Sequence, residues 1–127
     1  MDKPRIYVET TIPSFYFETR QQAAVIARRD WTRDWWQQAI LYADLFTSVA
    51  VIEELSQGPL QYRQSWLSFV EDLPLLPINE MILEVVEAYV KHLVMPKTSS
   101  GDALHLAIAS CHQCDFLVTW NCKHLAN

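Results

Sequence analysis

The order of elements legible in the sequence predicts an α/β domain: a central parallel sheet covered by helices on both faces. Two observations predict it. Short β-branched and aromatic runs alternate with longer stretches of helical periodicity, so that successive strands are separated by helices. The chain also has 127 residues, half of them hydrophobic, which suffices for one core and not for two. A single domain over residues 1–127 is therefore expected, and no repeat, low-complexity tract or long linker interrupts it.

Arg5–Glu9 (RIYVE) is the first strand, rich in the residues that suit a pleated surface. Pro13 fits the first turn of a short helix over Pro13–Glu18, with Thr11 as its cap. From Gln22 to Tyr42, Ala24, Ala27, Trp31, Trp35, Ala39 and Tyr42 recur at steps of three and four, predicting a helix with that stripe towards the core. Asp44–Ser48 reads as a second strand, and Val49–Gln57 as a helix stopped by Gly58-Pro59. Leu60–Val70 is a further helix. Beyond the proline-bounded segment Leu75–Ile78, Asn79 is the cap of a helix running to Val94 and closed by Pro96. Ser99 or Ser100 then caps a helix over Gly101–His112, and Phe116–Trp120 is the next strand. The sequence stops at Asn127, where a further strand would be natural, so the sheet is expected to lack its last strand.

Composition narrows the chemistry. No apolar run approaches the ~20 residues that span a membrane, and Met1-Asp2-Lys3-Pro4 does not begin a signal peptide. The expected setting is the cytoplasm, with Cys111, Cys114 and Cys122 as reduced thiols. A formal net charge of −5 argues against a protein that grips nucleic acid tightly by its phosphates. It argues less against one that meets phosphate through metal ions held by carboxylates. With only two glycines, Gly58 and Gly101, the chain forms neither a dinucleotide fingerprint nor a phosphate loop, and it lacks a G-x-S-x-G elbow.

Acidic and hydroxylic residues stand where open α/β sheets bind ligands, beyond the carboxyl ends of the strands. Glu9 closes the first strand and runs into Thr10 and Thr11; Glu54 lies in the helix after the second strand; Thr119 and Asn121 close the last strand. Asp102 opens a helix, Gly101–Ala109, whose other residues are nearly all apolar. A carboxylate at the start of so apolar a helix is costly unless it is paired or binds a cation. Oxygen ligands of this kind suit Mg²⁺ or Mn²⁺.

Four stretches carry a resemblance: IYVETTIPSFYFETR (Ile6–Arg20), TSVAVIEELSQG (Thr47–Gly58), GDALHLAIA (Gly101–Ala109) and DFLVTWNCKHLAN (Asp115–Asn127). In this order they resemble the PIN-domain family, especially the VapC-type toxins. The resemblance implies a three-layer α/β/α sandwich and an acidic pocket for Mg²⁺ or Mn²⁺. It implies hydrolysis of RNA as a metal-dependent endoribonuclease, an antitoxin protein as partner, and pairing into homodimers. Carried over by position, Glu9, Glu54, Asp102 and Asn121 are the catalytic and metal-binding residues, with Glu53 the second choice at the second position. Glu9 stands where aspartate is more usual. Asn121 is an amide where the family has an acid, so the site has lost one charge. Thr10, Thr11, Ser14 and Thr119 are candidates for orienting the carboxylates or the phosphate.

Blander readings stand beside these. Glu54 alone would be a solvated helix residue, and Asp102 alone an acid placed by the helix dipole. His105, one turn beyond Asp102, is either a phosphate contact or a hydrogen-bonded helix histidine, the latter preferred. Cys111, Cys114, Cys122 and His124 could be zinc ligands, but their intervals are short for a zinc module. Arg28, Arg29 and Arg33 interleave with tryptophans as in single-strand binders, although Trp31 and Trp35 at helical spacing are read as core. Tyr16, Phe17 and Trp120 are nearer the expected pocket. The alternatives to a nuclease are a catalytically weakened domain that binds RNA or protein, and a flavodoxin-like interaction domain whose acids are surface residues.

Overall fold

The computed structural model describes residues 2–92 and 100–121. Among them the chain forms strands β1 (Arg5–Val8), β2 (Asp44–Phe46) and β3 (Phe116–Val118). Six helices accompany them: α1 (Thr11–Tyr16), α2 (Ala23–Tyr42), α3 (Val49–Ser56), α4 (Leu60–Val70), α5 (Glu80–Lys91) and α6 (Ser100–Cys111). The strands make one parallel sheet in the order β2-β1-β3. Ile6 pairs with Leu45 on one side and Phe116 on the other.

Alternation along β1 shows how the sheet is covered, because successive side chains leave a strand on opposite faces. Tyr7 packs into a core built with Val51 and Leu55 of α3, Val70 of α4, Ile82 of α5 and Ile108 of α6. Ile6 and Val8 pack into a second core with Ile12 of α1, Ala39 of α2 and Leu45 of β2. Helices thus cover both faces, an α/β arrangement compatible with three layers. Connections from β1 to β2 use α1 and α2, whereas those from β2 to β3 use the other four helices.

Local signals account for most element ends. Asn79 caps α5 as expected, its side-chain oxygen accepting from the Ile82 N–H at 3.0 Å; α5 ends at Lys91, while Val94 and Pro96 lie outside the described residues. The turn from α3 to α4 requires a glycine, since a Cβ at Gly58 would run into the Trp66 ring. The second strand is shorter than expected: it ends at Phe46, and Thr47 makes only an isolated parallel bridge to Leu75. The third also stops early, at Val118, freeing Thr119 and Trp120 from the ladder.

Two expectations need correction. Thr11 does not cap α1; Thr10 occupies that place, and the Thr11 hydroxyl donates to Glu9 instead. The buried residues of α2 are Val25, Thr32 and Ala39: Ala39 is buried as expected, but Val25 and Thr32 replace their neighbours Ala24 and Trp31, with Trp31 64% exposed and Tyr42 47%. Trp35 and Trp36 are both partly buried, so either registration of the stripe captures one indole.

Candidate functional site

Glu9 follows β1 directly and is almost wholly buried. Its carboxylate oxygen Oε1 accepts three hydrogen bonds: from the Thr11 N–H at 3.0 Å, the Thr11 hydroxyl at 2.6 Å and the Thr119 hydroxyl at 2.7 Å. The Thr119 oxygen in turn accepts from the Asn121 N–H at 2.9 Å. Asn121 donates its side-chain N–H to Asp102 Oδ1 at 3.0 Å. A continuous path therefore links the end of β1, the end of β3 and the start of α6.

Glu54 reaches the same edge from α3. Its Oε1 accepts from the Thr10 hydroxyl at 2.8 Å and is joined to His105 Nε2. His105 is fully buried, and its Nδ1 lies 2.7 Å from the Tyr7 hydroxyl, which lies 2.7 Å from that of Ser48. These contacts form one chain, Ser48–Tyr7–His105–Glu54, with Nδ1 of the ring facing the Tyr7 hydroxyl and Nε2 facing the Glu54 carboxylate. Burial, opposed by the Ser48 hydrogen bond and reinforced by the charges of Glu54 and Glu9, pushes the Tyr7 phenol well up, so it stays a donor. Burial also raises Glu54, but the hydrogen bond and charge of His105, with the Thr10 hydroxyl, outweigh it and hold the carboxyl below its ordinary value.

The carboxylates share a pattern. Each commits one oxygen to this scaffold: Oε1 of Glu9, Oε1 of Glu54 and Oδ1 of Asp102. The second oxygen of each has no hydrogen bond among the described residues, and none of the three pairs with a lysine or arginine there. For Glu9, the one of the three that is buried, a carboxylate taken out of water with no cation beside it is unfavourable unless something completes it. Carboxylate oxygens and an amide are hard donors, so in chemistry the set fits Mg²⁺ or Mn²⁺. In spacing it is open: among the described residues no three histidine, cysteine or acidic side chains gather closely enough to hold an ion as they stand. Glu54 is drawn towards His105 and Thr10.

The remaining expected residues are dispersed. Thr10, Thr11 and Thr119 each hold a carboxylate, but the Ser14 hydroxyl turns to the Thr11 carbonyl at 3.1 Å. Glu53 is exposed and lines, with Glu54, His105, Gln57 and Gly101, a hollow of about 220 Å³ at the outer side of the site. Cys111 and Cys114 are free thiols, and burial pushes Cys114 up, away from the thiolate that zinc needs; Cys122 and His124 lie outside the described residues. Sequence reasoning missed Tyr7 and Ser48. Tyr7 was legible as the inward member of an alternating strand, but Ser48 offered no signal beyond preceding a helix. Its hydroxyl makes no cap bond because it is committed to Tyr7.

No helix among the described residues is long and apolar enough to cross a membrane. No protein-family model matches the chain, and a search of curated proteins finds no match either.

Proposed function

We propose that the chain is a metal-dependent ribonuclease of the PIN type, with Glu9, Glu54, Asp102 and Asn121 at its centre. One observation carries the reading: three carboxylates at the carboxyl edge of a parallel sheet, each anchored through one oxygen and leaving the other without a hydrogen-bond partner among the described residues. The 2-1-3 strand order with helices on both faces, and the four sequence stretches, support the PIN-like assignment. Mg²⁺ or Mn²⁺, when bound, would supply charge neutralisation of the scissile phosphate and a water of lowered pKa. The protein's own part is positioning. Thr11 and Thr119 fix the Glu9 carboxylate, Asn121 fixes Asp102, and His105 with Thr10 fixes Glu54. Orienting partners of this sort are worth about 10–100-fold in metal affinity or activity. The resemblance further proposes an antitoxin protein as partner, a homodimer, and a cytoplasmic setting.

A second reading has an observation of its own. Asn121 donates its amide N–H to Asp102, where a fourth acid would add charge. A site with one charge fewer holds a hard cation less tightly, which favours a weakened domain that binds RNA or protein without cutting it. Cleavage of an unstructured RNA panel in millimolar Mn²⁺, against the same reactions in chelator, separates the two. Cutting that requires Mn²⁺ and disappears in Asp102→Asn supports the nuclease. Binding without cutting supports the weakened domain, and no Mn²⁺ binding by calorimetry rejects both metal readings.

A further inference from the structure

Beside the carboxylates lies an aromatic surface that the metal-centred reading does not use. Trp31, on α2, is 64% exposed and lies nearly parallel to Trp120, at 17° with ring centroids 6.3 Å apart. Trp120 in turn sits against Phe15 of α1, centroids 5.9 Å apart. The Arg28 guanidinium stands over both, 5.7 Å from the Trp120 ring and 5.8 Å from Phe15. Between Trp31, Trp35 and Trp120 an open hollow of about 270 Å³ is floored by Ile12, Val118 and Thr119.

This surface is rigidly tied to the carboxylates. The Trp120 indole N–H donates to the buried Thr32 hydroxyl at 2.8 Å, and its backbone N–H donates to Thr11 Oγ1, also at 2.8 Å. That same Thr11 hydroxyl donates to Glu9, as does the hydroxyl of Thr119, which lines the hollow. Through Trp120 the platform therefore shares the Thr11 hydroxyl with the Glu9 carboxylate.

Charge decides what kind of ring. In a chain with fifteen acids against ten lysines and arginines, Arg28 stands exposed at the aromatic surface and pairs with no carboxylate among the described residues. Arg29, by contrast, is paired with Asp30, and Arg33 donates to the Tyr16 carbonyl and lies over the Tyr16 ring. An exposed flat ring with an unpaired cation beside it matches a base and its phosphate.

We infer that Trp31, Trp120 and Arg28 form a stacking platform for a base of single-stranded nucleic acid, next to the position of cleavage. The nuclease reading supplies only the word cleavage; the stacking surface is argued independently of it. The test is fluorescence anisotropy of a labelled, unstructured RNA oligonucleotide with the full chain in chelator, where nothing is cut. Trp31→Ala should weaken binding about tenfold, Trp31→Phe should retain most of it, and Arg28→Gln should weaken it and flatten the salt dependence. An oligonucleotide of the same backbone without bases should bind wild type and Trp31→Ala alike. Equal affinity of wild type and Trp31→Ala for the normal strand overturns the platform, as does equal loss on the abasic strand. So does a wild type that binds no strand, or a dimer by light scattering that Trp31→Ala dissolves while RNA binding stands, because the face is then a protein contact. Strand binding that depends on Trp31, with no cleavage in Mn²⁺, leaves the platform and rejects the nuclease; cleavage indifferent to Trp31 does the reverse.

Discussion

The two ends of the sheet handle their polar groups in opposite ways. At the amino end, Asp115 Oδ2 accepts from the Arg5 N–H at 2.8 Å, and the Arg5 guanidinium donates to the His112 carbonyl at 3.2 Å while lying over Phe46. His112 Nε2 meets the Pro77 carbonyl at 2.7 Å. Every one of these contacts has a backbone group or a ring as partner, and their effect is to close the chain. At the carboxyl end backbone donors also take part, from Thr11, Trp120 and Asn121, but the carboxylates are held mainly from side chain to side chain: threonine to glutamate, asparagine to aspartate, histidine to glutamate. Such bonds are a minority in folded proteins, only about 10–15% of the total. Their concentration here orients carboxylates that the fold itself does not require. One end is built for stability and the other for presenting oxygens.

The largest effect that would break this comparison belongs to Asp102→Asn. Cleavage should fall by on the order of a hundredfold or more, since a ligand matters at least as much as the groups that orient it. The fold should persist, because an amide oxygen still accepts the Asn121 bond. Melting curves should then diverge with metal. In chelator the mutant should equal or exceed wild type, a negative charge having been removed from among others. In Mn²⁺ at a hundred times its dissociation constant, wild type alone should gain about 2.7 kcal/mol. Equal cleavage by both proteins, with no Mn²⁺ gain in either, would make the two ends of the sheet alike.

His105→Ala comes next. It removes a fully buried ring bonded at both nitrogens, leaving a cavity and a Tyr7 hydroxyl without its imidazole partner. A loss of about 2–4 kcal/mol in urea unfolding is expected. Glu54 is also released from its tether, so Mn²⁺ should bind with changed affinity, measured by calorimetry on the mutant at low temperature. Unaltered affinity would mean that His105 supports the core and does not position Glu54.

Much of this was legible in the sequence, and the misses share a cause. The Asn79 cap and the bounds of α4 followed from local chemistry, which tertiary packing had no reason to override. Glu9 was legible as an acid at a strand end, where an apolar or hydroxylic residue would serve the sheet better, and Asp102 as an acid opening an apolar helix; Glu54, within a helix, stood out only by its place in the resemblance. Trp31 was misread because an indole at helical spacing is ambiguous between core and surface, and Trp35 and Trp36 satisfy two registers at once. Thr11 was misread as a cap because its hydroxyl had two partners within reach, and only the folded chain brings Glu9 and Thr119 to it. Hydroxyl partners are decided by three-dimensional proximity, to which a linear pattern is blind.

Asp115→Ala sharpens the comparison from the other side. The change removes the acceptor of the Arg5 N–H at the amino end, for a loss of about 1 kcal/mol. Its signature is sameness: the Mn²⁺ stabilisation and the rate of RNA cleavage should match wild type. A mutant that loses the Mn²⁺ increment would show that the two ends are coupled through β1.

The smallest effect lies in acid, and it isolates Glu54 from the metal altogether. Its carboxyl is held below the ordinary value, against burial, by His105 and Thr10. The sign follows from linkage: a carboxyl depressed in the folded state contributes stability above the unfolded value, about pH 4.3, and that contribution fades as pH falls through the lower folded value. Glu54→Gln keeps an oxygen for Thr10 and His105 but cannot titrate. In chelator, the advantage of wild type over this mutant should therefore shrink as pH drops below ~4.3. With the Glu54 side chain 44% exposed, solvent screening limits the change to about 1 kcal/mol or less. Urea midpoints at half-unit steps of pH between about 3 and 7 span the window on both sides of that value. A difference between the two proteins that stays flat across the range would mean that the His105 bond does not stabilise the charged carboxylate. Glu54 would then be a surface acid leaning on the helix, and the carboxyl edge would retain only Glu9 and Asp102 as anchored carboxylates.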